Sequence, residues 1–200
     1  MAQKYSFEFH LGYANNLPSK LIIEQTGYED IELKAHYHSE PFNSPYYWLW
    51  RISYKNDSTC NYEFEAVHHK IYLQNEHPDI QHFGISHGLN LLLLNRVKIF
   101  KHNFHLNTGV GLVLAHPENK IRNKPLKESG NGILGMGYYL SGGVINISGG
   151  KYFAISKRWY INTEIRFNPS YSVVPIVDGK AKVWNFAWQA IGGIGYFFIN

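Results

Sequence analysis

Three observations predict an all-β fold, an antiparallel up-and-down transmembrane β-barrel of eight or ten strands. Apolar residues alternate with polar ones along segments of 12 to 18 residues, against the usual 5 to 6 of soluble sheets. Tyr and Trp cluster at the ends of those segments, where a ring with a polar tip suits a membrane interface. Short connections alternate with longer ones, as in barrels with tight periplasmic turns and long outer loops.

The segments follow in order. Residues 5 to 13 alternate Tyr5, Phe7, Phe9, Leu11, Tyr13, and 20 to 26 offer a second short run. Then come Ile31, Leu33, Ala35, Tyr37, followed by Tyr46, Trp48, Trp50, Ile52, Tyr54 and by Tyr62, Phe64, Ala66. Residues 80 to 95 set Phe83, Ile85, Leu89, Leu91 and Leu93 on one apolar face, expected towards lipid. Residues 104 to 116 and 136 to 154 follow, the latter broken near Gly142 and Gly143. The last two are 159 to 175 and 183 to 199. Eight strands from about residue 29 onwards satisfy the alternation, with the C-terminus in the periplasm. Residues 1 to 27 add two more strands, making ten, or lie at the rim or across the lumen. The whole chain, 1 to 200, is one domain.

The opposite faces are polar: Lys34, His36, His38; Arg51, Ser53; Glu63, Glu65, His69; His82, Ser86, Asn90; Asn107; Asn162, Glu164, Arg166, Asn168; Asn185, Gln189. Lys34, Arg51, Glu63 and Glu65 read as an ionic ladder filling a lumen too narrow for an open pore. A soluble lipid-binding barrel would bury the apolar face instead and is a second alternative.

Charged residues make up only 17% of the chain and aromatics 16%, a balance suited to an apolar outer surface. The net charge of +4 is dispersed, which argues against nucleic acid as a partner. The single Cys60 excludes an internal disulfide. No apolar run reaches the ~18 residues of a membrane helix. The opening "MAQKYSF" shows no signal-peptide pattern and reads as a start methionine before a mature end.

The closing "GGIGYFFIN" resembles the final strand of small bacterial outer-membrane β-barrels, although the chain ends Phe198-Ile199-Asn200 without a terminal phenylalanine. The resemblance is architectural. It implies a Gram-negative outer-membrane location, outer-membrane lipid as partner and a monomer.

Histidines 68, 69, 77, 82 and 87 crowd into "VHHKIYLQNEHPDIQHFGISHGLN". A hairpin centred near residue 77 would set His68 opposite His87 and His69 opposite Ser86, with His69, His82 and Ser86 facing the lumen. With His36, His38 and His116, eight of eleven histidines then gather at the outer end. The leading expectation is a structural or ligand-binding role at the cell surface, with lipopolysaccharide or a small hydrophobic molecule as ligand and no cofactor. Whether the protein is an enzyme stays open at this point. The hydrolytic alternative is a lipid A or phospholipid deacylase in which Ser86 is activated by His69 or His82, and Glu118 orients the base. Outer-membrane lipid A deacylases pair a His-x-Ser with an acid on a similar barrel. Here Ser86 and His87 are adjacent instead. For a metal, His36 and His38 share one strand face and His116 is the third candidate ligand.

Overall fold

The computed structural model describes residues 4–126 and 132–198. The opening Met1-Ala2-Gln3, the closing Ile199-Asn200 and part of the long loop at 117 to 135 lie outside them. The strands, in chain order, are β1 (Tyr5–Leu17), β2 (Ser19–Gln25), β3 (Ile31–Ala35), β4 (Tyr37–His38), β5 (Trp48–Lys55), β6 (Cys60–Leu73) and β7 (Ile80–Ile99). There follow β8 (Phe104–Ala115), β9 (Glu118–Ile121), β10 (Lys124–Pro125), β11 (Tyr139–Ala154), β12 (Trp159–Ile176) and β13 (Gly179–Phe198).

Eight of these form a closed antiparallel ring among the described residues: β1, β5, β6, β7, β8, β11, β12 and β13, each paired on both edges. The first and last strands seal it, with Tyr5 opposite Phe198 and Leu17 opposite Phe186. The N-terminal residues therefore do not add two strands. β2 prolongs β1 along the same edge of β13, with the register offset by one residue across Pro18. Proline has no N–H to give the ladder, so the break falls there. The segment at 31 to 38 is likewise no separate stave: β3 turns back on β2, and β4 pairs with the end of β6.

Strand alternation sends Tyr5, Phe7, Phe9, Leu11 and Tyr13 outward, and the same holds around the ring, with Ile165 at 57% and Leu94 at 66% exposure. A soluble barrel would bury this face. Two aromatic girdles bound it. Trp159 packs on Tyr196 at 4.7 Å near the short turns, and Tyr171 packs on Trp184 at 4.7 Å near the loops. Twelve residues of β12 separate them, which is about 40 Å of strand. Tilted by the usual ~40°, that spans about 30 Å, close to the ~25 Å apolar band of an outer-membrane barrel.

The interior has two layers. Towards the short turns it is ionic. Arg51 and Arg166, both fully buried, meet Glu8, Glu63, Glu65 and Glu164. The Arg51 guanidinium donates to Glu164 at 2.6 Å and Glu65 at 2.6 Å, and lies 3.2 Å from both Glu8 and Glu63. His10 adds a contact to Glu8 at 2.8 Å and His105 one to Glu164 at 3.3 Å. The expected ladder thus exists as a radial hub. Lys34 is not in it, for it stands exposed on β3.

Towards the loops the interior is apolar: Leu21, Ile23, Leu49, Ile71, Phe83, Ile85, Leu89, Leu91, Leu93 and Val183 form one core. Phe83, Ile85, Leu89, Leu91 and Leu93 do share a face, but it points inward rather than to lipid. At Phe83 and Ile85, on the rim, the wall meets water outside, so the apolar face must turn in; at Leu91 and Leu93 both sides of the strand are apolar, with Leu94 turned to lipid. Tyr47, from the segment before β5, reaches into this interior and donates to Gln189 at 2.8 Å.

Two outcomes test this architecture. Trp188→Arg, on the lipid face against Phe167, should cost ~2–4 kcal/mol of folding free energy in urea titrations of the bilayer-inserted protein. Arg51→Met should cost ~3–5 kcal/mol in the same titration, because several carboxylates lose their buried partner.

Candidate functional site

Between β6 and β7 the register differs from a simple hairpin. His69 lies opposite Leu89 and Ile71 opposite Ile85, so Ser86, His87 and Gly88 stand against the single residue Lys70. The expected pairings His68–His87 and His69–Ser86 are therefore replaced by His68–Asn90 and His69–Leu89. A bulge of this kind re-aims side chains and bends the strand. Gly88 makes it possible: its φ is +123°, and a Cβ there would sit 2.6 Å from the His68 ring.

Above the bulge, β7 leaves β8 and pairs with β9, Gly84 opposite Glu118. With Phe83 and Ile85 pointing into the core, Ser86 and His82 take the outer face of the rim, not the lumen. There they meet Glu118. Ser86 Oγ donates to Glu118 Oε2 at 2.6 Å and lies 3.2 Å from His87 Nδ1. His82 Nε2 stands 4.0 Å from Glu118 Oε1, both side chains about two-fifths exposed to water. Three of the four expected catalytic residues thus converge. The fourth, His69, is 1% exposed inside the barrel, behind the sheet from Ser86. His87 takes its place beside the hydroxyl. Sequence reasoning did not pair them, because a regular strand turns residues 86 and 87 to opposite sides, whereas the bulge leaves Ser86 beside His87 on the outer face.

The proton count decides what this cluster can do. Ser86 has one hydroxyl proton, and the 2.6 Å bond commits it to the Glu118 carboxylate. His87 Nδ1 then donates to Ser86 Oγ. In this arrangement the carboxylate is the base nearest the hydroxyl.

His116 lies behind the cluster. Its ring packs on His87 at 4.8 Å and Tyr138 at 4.9 Å, and the His116 backbone N–H donates to the Gly88 carbonyl at 3.0 Å. Gly137 has to be glycine: its φ is +75°, and a Cβ would fall 2.5 Å from the His116 ring. His36 and His38 are elsewhere. His38 stacks on Tyr72 at 5.2 Å and approaches Glu40 at 3.4 Å, while the His36 backbone N–H donates to Asn75. The expected trio of His36, His38 and His116 is not assembled: among the described residues no three His, Cys, Asp or Glu side chains gather as a metal site. The reason is that β4 pairs with the edge of β6 away from β7, whereas the His116 backbone is tied to the bulge of β7.

No protein-family model matches the sequence, and no curated protein matches it. Solved structures match its fold. The outer membrane protein AlkL, solved in DMPC lipid bilayers, aligns over 99% of this chain and 91% of its own, at 13% identity and a TM-score of 0.58. Ail, the attachment invasion locus protein of Yersinia pestis, covers 98% of this chain at 11% identity and TM-score 0.45. Neisserial surface protein A covers 98% at 9% identity and TM-score 0.47. At such identities the likeness is one of fold. With its outward apolar belt, this chain has the fold of small bacterial outer-membrane β-barrels.

Ser86→Ala removes the clasp between β7 and β9. Amide exchange at Gly84 and Glu118 should quicken by about tenfold, the equivalent of ~1.4 kcal/mol for a lost charge-assisted bond. Exchange at Arg51 should stay unchanged in the same experiment.

Proposed function

We propose that this barrel is a monomeric ligand-binding protein of the cell surface, working through the bulged outer face of its β7–β9 rim. The observation that carries the reading is the contrast between interior and rim. The interior is occupied by a mutually paired ionic layer and, above it, an apolar core. His82, His87 and Glu118, which water can reach, gather instead around the buried Ser86 hydroxyl. A filled interior suits binding better than conduction. The rim is braced further by ion pairs that link its parts, Lys124 to Asp178 at 2.9 Å and Lys182 to Glu24 among them.

One observation favours a second reading. Ser86 Oγ has both a carboxylate and an imidazole within hydrogen-bond reach, the groups an acyl-transfer nucleophile needs. A lipid A or phospholipid deacylase would use them. For His87 to serve as base, its ring must carry its proton on Nε2, and the Ser86 hydroxyl must turn from Glu118 to the freed Nδ1.

The two readings part in one preparation. Barrel reconstituted in vesicles of phosphatidylethanolamine and lipopolysaccharide should release no fatty acid measurable by mass spectrometry, and should show no conductance steps in planar bilayers. Acyl release that Ser86→Ala abolishes would move the protein to the hydrolase reading. Steady conductance would sink the filled-interior argument.

A further inference from the structure

The membrane face of β5, β6, β7 and β8 is not flat. A groove of about 480 Å³ runs up it, lined by Trp48, Trp50, Ala66, His68, Leu92 and Leu114 among others. Cross-strand register explains its shape. Trp50, Ala66 and Leu92 lie in one row, and Trp48, His68, Asn90 and Leu114 in the row above. Ala66 is the floor, because its methyl leaves a gap between two larger neighbours. Trp48 stacks on His68 at 5.4 Å and 12° as one wall.

The groove changes character along its length. Its inner part is Trp50, Ala66 and Leu92. Its loop-side part is His68, Asn90, His87 and Tyr138, so the polar end reaches the residue beside Ser86. This grading from apolar to polar, on a surface continuous with the lipid-facing belt, matches one acyl chain and its linkage.

The polar end also states which linkage. His68 is 4% exposed, and its Nδ1 donates to Asn90 Oδ1 at 2.8 Å. The neutral ring then carries a lone pair at Nε2, which has no hydrogen-bond partner. A buried acceptor without a donor is costly. The linkage region of a glycerophospholipid offers only ester acceptors. Lipopolysaccharide acyl chains bring amide N–H and hydroxyl donors at that depth.

From this the geometry points to a lipopolysaccharide acyl-chain site in the groove, its chain over Ala66 and its amide or hydroxyl donor at His68 Nε2. The inference deepens the surface-binding reading by naming the ligand, and rests on that reading at the His87 end.

The test uses the folded barrel in mild detergent with equal amounts of lipopolysaccharide and phosphatidylethanolamine, read by native mass spectrometry. Wild type should retain one lipopolysaccharide per chain. Ala66→Trp, which fills the floor, should lower retention at least tenfold. His68→Phe keeps the stack on Trp48 but removes the acceptor, and should lower it by a similar factor even if Ala66→Trp folds poorly. Ile161→Trp, on β12 across the ring, should retain it as wild type does. Retention unaffected by His68→Phe, or phosphatidylethanolamine held in preference, would overturn the inference. Acyl release in the vesicle assay would count against the surface-binding reading while leaving lipid retention to be judged separately.

Discussion

Closure of the sheet is the constraint on which the rest depends. In lipid every backbone N–H and C=O needs a partner within the protein, and only a ring of strands supplies one on all edges. Here that falls to β1, which joins β13 on one side and β5 on the other. Eight strands leave an interior only wide enough for side chains. The chain fills it by depth. Within the bilayer, where the outside is apolar, the inside takes the charges, and Arg51 binds carboxylates from β1, β6 and β12 across the lumen. Above it the inside becomes apolar, beginning at Leu93 and Leu91, behind a lipid-facing wall, and continuing to Ile85 and Phe83 at the rim.

Much of this was legible in the sequence, because strand period and lipid contact write a simple pattern. Tyr5 to Tyr13 and Trp159 to Phe167 read correctly from alternation alone. The ladder partners Arg51, Glu63 and Glu65 were found as polar residues on one face, though their convergence on Glu8, Glu164 and Arg166 belongs to closure and not to any local window. Reading apolar as lipid-facing failed at Phe83 to Leu93, since alternation gives a face and not its direction. It failed also at 20 to 38, where short strands of the outer rim imitate membrane strands.

The candidate site shows the same limit more sharply. Ser86, His82 and Glu118 were identifiable as residue types able to do acid–base work, and they do converge. His69 did not join them, and His87 did. The difference is the bulge opposite Lys70, whose signal in the sequence is the single Gly88. Three residues against one shift every later pairing, so a register counted from the loop cannot find the right partners. The candidate metal ligands parted for a related reason: chain order placed them at one end of the barrel, but pairing decides which staves they share.

The leucine run of β7 has a consequence outside the folded state. Leu91 and Leu93 face the core while Leu94 faces lipid, so the strand has no polar side along "LLLL". In water, before insertion, such an uncharged stretch is the place where unfolded chains adhere to one another. Asn90 and Asn95 bracket it, and Arg96 follows at once. The same leucines that join core to membrane in the finished barrel therefore make the journey to the membrane hazardous, and set a need for escort by proteins that hold unfolded chains apart.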